Sequence, residues 1–402
     1  MNNMRTGFIL DGNFFNDSRV KNEACILVNH GYQVYVLTPF FKDHPATSHF
    51  SDNISVIFLP FSKKMSNYLF FFENLIPLYD YFWYLGIKKF IRKYNIDVLH
   101  VHDLYLSGAS AMASSISGIP LILDLHENYP AAIQAYRWAS GYPSRLIVRP
   151  DRWKKKEKKY LDYASKLIVL SDHFRNSLIS EYDELKSERI HVYPNVPDTG
   201  MMLSYKIDNR IFPAENKIVV FYFGVISRRR GIETSVDALR TLIPEFPEIH
   251  LLLIGPADKA EKDHFKRLFS EDLVKDHITW YPWKDISLLP SYISCSDICI
   301  SPILKNAQHD SGVANKVFQY MLFGKPLLVS DCVPQMEVIG ETGCGMIFKN
   351  NDPEDMSLKL SEMISDPDAR RSMGKKGKKA VMEKYNTEIM GQSIIEAYTG
   401  LR

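Results

Sequence analysis

Short segments rich in β-forming residues alternate with longer segments of helical pattern, and this alternation runs through the chain twice. The β-rich segments are residues 6–10, 33–37, 56–59, 98–102, 121–125 and 166–170 in the first half, then 217–223, 250–254, 278–281, 298–301 and 327–330. Strands separated by helices are typical of parallel sheets covered by helices. We therefore predict an α/β protein with two doubly wound domains, whose ligands bind at the carboxyl ends of the strands.

The length and a break in the pattern suggest where these domains divide. A chain of 402 residues exceeds what one hydrophobic core usually organises. The polar stretch 199–216 interrupts the alternation and is predicted to be a linker. We expect an N-terminal domain over residues 1–200, a C-terminal domain over residues 210–384, and a final helix within residues 385–402 that crosses back to the N-terminal domain.

The amino-acid composition limits the classes of protein to which this chain can belong. The 49 basic residues nearly balance the 47 acidic ones, which argues against bulk nucleic-acid binding. The five cysteines lack a zinc-like spacing and suggest a reduced cytosolic protein. The first apolar run is too short for a secretory signal, and charged residues and a proline interrupt the aromatic stretch 68–87. We expect a cytoplasmic location, with contact at the inner face of a membrane as a further expectation.

The most informative functional motif is the segment from Ser311 to Pro326, which directly precedes the strand 327–330. Its small first residues would let a ligand approach the free amides of a helix N-terminus, where phosphate is favoured. Gly324 and Pro326 then end the helix. The motif predicts a diphosphate and sugar site that includes Ser311, Gly312, Val313 and Gln319.

This segment resembles the nucleotide-sugar site of family-four retaining glycosyltransferases of the GT-B fold. In that family two glutamates separated by seven residues precede Gly-Lys-Pro, and Ser311 and Gln319 occupy their positions here. The second glutamate of the family binds both ribose hydroxyls, and a glutamine keeps an acceptor oxygen without the charge. The resemblance implies a GT-B fold with two Rossmann-like domains and a cleft between them.

A turn after the predicted strand 217–223 carries three consecutive arginines. It begins at Gly224 and contains Arg229 and Arg230, whose guanidinium groups suit a diphosphate. The family has a lysine where Arg230 stands, which implies that Arg230 stabilises the leaving diphosphate, with Arg229 as a substitute. A solvated basic turn is the alternative. Further donor-binding candidates follow two other strands: Gly255, and Tyr281 and Trp283 for the base.

Polar residues follow three predicted strands of the N-terminal domain. His126 resembles the family's histidine that contacts the donor sugar, although a plain hydrogen-bonded histidine is the alternative. His102 and Asp103 lie at the carboxyl end of the predicted strand 98–102, as His126 does after the strand 121–125. The first loop carries an Asp-x-Arg-Val signature of some relatives. The acceptor-side candidates are therefore Asn13, Asp17, Arg19, His102 and Asp103, and Asp17 is equally well explained as a helix N-cap.

The resemblance implies transfer of a sugar, with retention of configuration, from a UDP- or GDP-sugar to a glycan or lipid-linked acceptor in cell-surface polysaccharide assembly. The catalytic candidates are His126, Arg230 and Lys316, with no metal, because the only Asp-x-Asp, at Asp366, is predicted to cap a helix. A nucleotide-sugar epimerase and a catalytically silent sugar-binding relative are the alternatives. Peripheral membrane contact is predicted from the aromatic stretch 68–84 and the basic segment 154–159, for which a solvated helix face is the alternative.

Overall fold

The computed structural model describes residues 4–41 and 47–401, and the chain divides into two compact units. The first unit is Met1–Pro194 together with Met390–Arg402, and the second is Asn195–Ile389. Each unit has its own largely parallel sheet covered by helices. The predicted α/β class with two Rossmann-like domains is thus confirmed.

Eight described strands form the sheet of the first unit, in the order β3-β4-β2-β1-β5-β6-β7-β8. They are β1 (Arg5–Ile9), β2 (Gln33–Phe40), β3 (Thr47–Ser51), β4 (Ile54–Ser62), β5 (Val98–His102), β6 (Leu121–Asp124), β7 (Lys166–Val169) and β8 (Ile190–Val192). The helices up to the second unit are α1 (Ser18–Asn29), α2 (Lys63–Phe71), α3 (Leu78–Tyr94), α4 (Ser107–Ser117), α5 (Tyr129–Ala135), α6 (Arg137–Ser140), α7 (Ser144–Val148), α8 (Trp153–Tyr163) and α9 (Asp172–Glu181). Only β3 pairs antiparallel, and the order changes direction between β1 and β5.

Six described strands form the second sheet, in the order β11-β10-β9-β12-β13-β14. They are β9 (Ile218–Phe223), β10 (Ile249–Ile254), β11 (Ile278–Tyr281), β12 (Ile298–Ser301), β13 (Leu327–Ser330) and β14 (Gly345–Phe348). The remaining helices are α10 (Thr199–Ser204), α11 (Ile232–Leu242), α12 (Lys262–Phe269), α13 (Leu289–Ser294), α14 (Asn315–Leu322), α15 (Val333–Thr342), α16 (Pro353–Ser365), α17 (Pro367–Glu383), α18 (Thr387–Met390) and α19 (Gln392–Tyr398). The order changes direction between β9 and β12.

Sequence patterns found the central strands and missed edge strands. β10 and β12 are buried on both faces, as expected of parallel strands covered by helices. The patterns missed β3, β8 and β14, which are short, carry few apolar residues or begin at a glycine. The predicted linker is not wholly irregular, because it contains α10, whose N-cap Asp198 accepts a hydrogen bond from the Met201 amide at 2.9 Å.

The last helix, α19, packs within the first unit. The Tyr398 hydroxyl lies 2.9 Å from Nδ1 of His100 on β5, and the Tyr398 ring packs against Tyr32 at a centroid distance of 5.2 Å. None of the helices in the described part of the chain is long and apolar enough to cross a membrane.

Candidate functional site

Two glycines form tight turns after strands of the second sheet, near the point where its strand order changes direction. Gly224 follows β9 with φ of 141°, and Gly255 follows β10 with φ of 146°. A Cβ atom on Gly255 would lie 1.9 Å from the Gly224 carbonyl oxygen. Only glycine lets these two turns pass so closely. Backbone is thereby brought to the position at which doubly wound sheets bind ligands.

Lys316, on α14, places a buried side-chain nitrogen beside these turns. Its Nζ lies 3.7 Å from the centroid of the Tyr222 ring, and the residue is 6% exposed. A Cβ atom on Gly224 would lie 2.8 Å from this Nζ, so the glycine makes room for the Lys316 side chain. Burial, and then the charge of Arg230, hold the pKa of Lys316 well below its ordinary value. A bound anion would favour its protonated form.

The arginine turn gives its members different environments. Arg228–Arg230 form a short 3₁₀ helix that ends at Gly231, where a Cβ atom would lie 1.7 Å from the Pro302 carbonyl oxygen. Arg228 is exposed and forms an ion pair of 3.0 Å with Glu233. Arg230 is half-buried and its charge lowers the pKa of both Lys316 and His309. The solvated-turn alternative therefore describes Arg228, whereas Arg230 belongs to the cationic group around Lys316.

The N-terminus of α14 has the predicted open character. Ala314 is its N-cap, and no side chain of the described residues caps the helix. Gln319, one turn inside, has a buried Oε1 with no hydrogen-bond partner among the described residues. Such a buried acceptor calls for a donor, and a ligand hydroxyl can supply it. By contrast, the Ser311 hydroxyl donates to the Gln308 carbonyl at 2.6 Å, so it serves the local turn.

His309 belongs to the same group, and sequence reasoning missed it. It is 5% exposed, burial and then Arg230 lower its pKa to about 4, and its Nε2 has no hydrogen-bond partner among the described residues. Its position two residues before Ser311 was the available signal. Gly312, with extended backbone, and Val313 connect this turn to α14.

The two aromatic candidates for base recognition lie at the end of β11. The Tyr281 carbonyl accepts a hydrogen bond of 3.0 Å from the Gly255 amide. Trp283 is 59% exposed, and its ring lies 5.6 Å from that of Phe223 at the end of β9. The structure thus places both residues beside the glycine turns, and their role in base binding stays a prediction.

In the first unit, a buried ion pair lies behind the candidate residues at the strand ends. The Arg19 guanidinium binds Asp124 with two contacts, Nε to Oδ2 at 2.9 Å and NH2 to Oδ1 at 2.7 Å. It also donates to the Tyr193 carbonyl at 2.8 Å and lies 3.0 Å from Glu23. Arg19 is therefore buried, and these contacts hold its guanidinium against Asp124 on the interior side.

Asp124 in turn holds His126. The His126 Nε2 lies 2.8 Å from Asp124 Oδ2, and its Nδ1 lies 3.6 Å from Asp103 Oδ1. Burial opposes the charge of His126, but the carboxylates of Asp103 and Asp124 outweigh it and raise its pKa to about 10. Burial likewise opposes ionisation of Asp124, yet Arg19 and then His126 hold its pKa well below the usual range. The histidine is thus a fixed imidazolium at neutral pH.

The neighbouring strand exit contributes one strained residue. Asp103 has φ of 74° and ψ of 145°, a backbone conformation that is essentially restricted to glycine. Such strain is concentrated at functional sites. His102 is fully buried, its Nδ1 lies 3.3 Å from His126 Nε2, and burial lowers its pKa. Asp103 thus sits beside His126 at the surface of the site, and His102 lies beneath it.

The two remaining acceptor-side candidates serve as helix caps. Asp17 is the N-cap of α1 and accepts a hydrogen bond from the Val20 amide at 3.1 Å, which confirms the alternative given for it. Asn13 caps a 3₁₀ turn in the same way, through the Phe15 amide at 3.0 Å. Contact with an acceptor stays a prediction for both.

One cluster of side chains has the composition of a metal site. Ligand atoms of Glu23, His100, His102 and Asp124 lie within 4.8 Å of one another. The sequence pattern drew attention only to the Asp-x-Asp motif and did not predict this cluster, which joins residues that are distant in sequence. However, the Arg19 guanidinium contacts both carboxylates and already supplies a positive charge. The Asp-x-Asp motif is a cap as predicted, because Asp366 accepts from the Ala369 amide at 2.9 Å at the start of α17.

Comparison with known proteins identifies the class. Residues 19–200 match the model of the family described as Glycosyltransferase Family 4, and residues 205–380 match that of Glycosyl transferases group 1. The alpha-maltose-1-phosphate synthase of Mycolicibacterium smegmatis is 22% identical over 75% of this chain and 78% of its own.

Solved structures agree on the fold. Sucrose-phosphate synthase from Thermosynechococcus elongatus superposes with a TM-score of 0.80 and 20% identity, covering 99% of both chains. Anabaena HepE in complex with UDP-glucose has a TM-score of 0.71 and 14% identity, covering 98% of this chain and 99% of its own. The protein is a glycosyltransferase of the GT-B fold, and it belongs to the family-four group, which confirms the resemblance drawn from the sequence.

Proposed function

We propose that the protein transfers a sugar, with retention of anomeric configuration, from a nucleoside diphosphate sugar to an acceptor hydroxyl. The proposal rests chiefly on the group formed by Lys316, Arg230, the uncapped start of α14 and the unsatisfied Oε1 of Gln319. This group offers basic side chains and helix amides to a diphosphate, and an acceptor to ribose. A solved structure of similar fold contains UDP-glucose, which supports this donor class.

The residues suggest how the chemistry proceeds. The bond between the anomeric carbon and the diphosphate breaks, and negative charge develops on the leaving oxygen. Arg230, Lys316 and the α14 amides stabilise that charge. The departing phosphate takes the proton of the attacking hydroxyl on the same face of the sugar, so no protein nucleophile is needed. His126, held as an imidazolium by Asp124, hydrogen-bonds the donor sugar.

Turnover of sugar nucleotides tests the activity. Purified protein is incubated with UDP- and GDP-sugars, and nucleoside diphosphate release is followed with and without candidate acceptors. Slow release without acceptor and faster release with it would support the transferase. An epimerase would change the sugar without releasing nucleoside diphosphate. Binding without turnover would identify a silent sugar-binding relative.

The acceptor is proposed to be a glycan or lipid-linked glycan reached from a membrane surface, in cell-surface polysaccharide assembly at the inner face of the membrane. Tyr81, Leu85, Lys89 and Arg92 are exposed along one face of α3, so its first half is apolar and its last turns are basic. This arrangement suits an anionic lipid surface. Ile76, in the turn before α3, is 56% exposed and extends the apolar part.

The basic segment 154–159 adds only part of the predicted contact surface, through the exposed Lys155, Lys158 and Lys159. Its flanking Trp153 and Tyr160 are buried, so they are unavailable to lipid. Lys154 pairs with Glu157 and Glu181, and Lys156 pairs with Glu73. The membrane proposal therefore rests chiefly on α3 and the turn before it.

Co-sedimentation with anionic vesicles tests this surface. The double variant with Ile76→Ser and Tyr81→Ser should bind less than the parent protein at low salt. Leu358→Ser, at an equally exposed position on α16, is the matched control. Equal sedimentation of both variants, or none by the parent, would argue for an acceptor that is not membrane-bound.

A further inference from the structure

A cavity of about 540 Å³ opens in the first unit among the loops that follow β1, β5 and β6. Its volume is that of a small-molecule site, and such sites combine apolar walls with a few polar groups. It lies where the first sheet changes direction, the preferred ligand position of a doubly wound fold. Of the residues that line it, only Asp103 was an acceptor-side candidate in the sequence.

Aromatic side chains form a continuous wall. The Phe70 ring lies 6.2 Å from Trp138 and 5.5 Å from Tyr105, while Tyr136 stacks on Trp138 at 19° between the ring planes. Trp138 is 47% exposed, so much of its surface is available to a ligand. Flat aromatic surfaces pack against the C–H face of a pyranose ring.

The polar groups of the cavity are mainly carboxylates. Glu127 accepts from the Tyr136 hydroxyl at 3.1 Å, and Asp103 accepts from Tyr105 at 3.0 Å. A carboxylate has about four acceptor positions, so it can accept from several donors at once. Lys63 is the only basic residue that lines the described cavity, and Asp11 already binds it at 2.9 Å.

We propose that this cavity binds an uncharged pyranose unit of the acceptor through its aromatic wall and through hydroxyls donated to Asp103 and Glu127. The inference rests on the proposed transferase function and names the class of its acceptor. A phosphorylated sugar is disfavoured, because its anionic group would meet carboxylates and a lysine that is already paired. Asp103 lies 3.6 Å from His126, which links the cavity to the proposed reaction centre.

Saturation-transfer NMR titrations test the proposal. The probes are methyl α-glucopyranoside, methyl α-galactopyranoside and methyl α-mannopyranoside, with glucose 6-phosphate as the charged comparison. Glu127→Gln should weaken binding of the preferred glycoside about ten-fold, the effect of losing one charge-assisted hydrogen bond. Trp138→Ala should weaken it as well. Glu184→Gln and Tyr163→Ala, at exposed positions outside the cavity, should bind like the parent.

Tighter binding of glucose 6-phosphate than of every glycoside would overturn the inference, as would glycoside binding that neither cavity variant changes or no binding of any glycoside. Thermal melting of each variant establishes that it is folded. Calorimetric titration of UDP and GDP is run in parallel. If a nucleoside diphosphate binds and turns over from its sugar while the glycosides fail, the cavity assignment alone is wrong. If neither nucleotide binds, the transferase proposal itself fails.

Discussion

Oδ2 of Asp124 lies 2.8 Å from Nε2 of His126, and this contact fixes both the orientation and the charge of the histidine. Asp124 is fully buried and ionised because Arg19 binds both of its oxygens from behind. Arg19, Asp124 and His126 therefore form a row of alternating charges, which runs from the interior of the first unit to the carboxyl ends of its strands. Without Asp124, neither Arg19 nor His126 would be fixed in its observed orientation.

This relationship predicts a loss of stability at high pH. The pKa of His126 is raised from an ordinary 6.5 to about 10 in the folded state. Its contribution to folding is therefore complete below pH 6.5 and is lost as the pH rises through about 10. We expect the free energy of unfolding to fall by roughly 2 kcal/mol between pH 7 and pH 9 because of this residue. Urea unfolding at both values measures it.

His126→Gln should largely remove that pH dependence, whereas His173→Gln, at a half-buried position on α9, should retain it. The comparison of variants matters because other groups also titrate near pH 9. An unchanged slope in His126→Gln would mean that the histidine is not held as an imidazolium.

A second prediction concerns the arginine turn. Arg230→Ala should lower kcat by about 10² to 10³, by analogy with the loss of one group that stabilises charge in a transition state. Arg228→Ala is the matched control, because its side chain is exposed and paired with Glu233. Arg229→Ala should be intermediate. Steady-state kinetics at saturating donor decide this, and equal turnover of parent and Arg230→Ala would remove Arg230 from the mechanism.

Local patterns predicted the central strands and the glycine turns, because strand residues and turn glycines are constrained by their own neighbours in sequence. The support of His126 by Arg19 could not be read in the same way, since 105 residues separate Arg19 from Asp124. His309 was missed although it lies two residues before the Ser311 motif, because the depression of its pKa depends on burial and on Arg230, which is distant in sequence.

The burial of Lys316 predicts proton uptake when a nucleoside diphosphate binds. Its pKa is depressed in the unliganded protein, and an adjacent diphosphate would raise it. Binding should therefore take up as much as about one proton and become tighter as the pH falls toward neutrality. Calorimetric titration of UDP or GDP in buffers of different ionisation enthalpy measures the proton. Lys316→Met should abolish the buffer dependence of the binding enthalpy. If the parent protein itself shows no buffer dependence, the assignment of proton uptake to Lys316 is wrong.

Metal removal should leave activity intact. Glu23, His100, His102 and Asp124 could ligate a cation, but the Arg19 guanidinium contacts both carboxylates and provides the charge a metal would bring. We expect equal rates of nucleoside diphosphate release with and without EDTA. Loss of activity with EDTA and its recovery with manganese would show that a metal takes part.

The last prediction concerns Gln319, where the sequence departs most from its family. Its Oε1 is buried without a partner among the described residues, as expected of an acceptor that awaits a ligand hydroxyl. A carboxylate there could accept from both ribose hydroxyls, and a charge-assisted bond is roughly twice as strong as a neutral one. Gln319→Glu should therefore tighten nucleoside diphosphate binding by about 1 kcal/mol, or roughly five-fold.

Lys316 makes this outcome physically reasonable, because it lies three residues earlier on the same helix, and an adjacent carboxylate would raise its depressed pKa and favour its protonated form. The opposing effect is the cost of burying a charge without enough partners. Calorimetric titration of the nucleoside diphosphate into both proteins decides between them. Weaker binding by a folded glutamate variant would mean that ribose is held elsewhere, and that the amide at Gln319 serves the protein rather than the ligand.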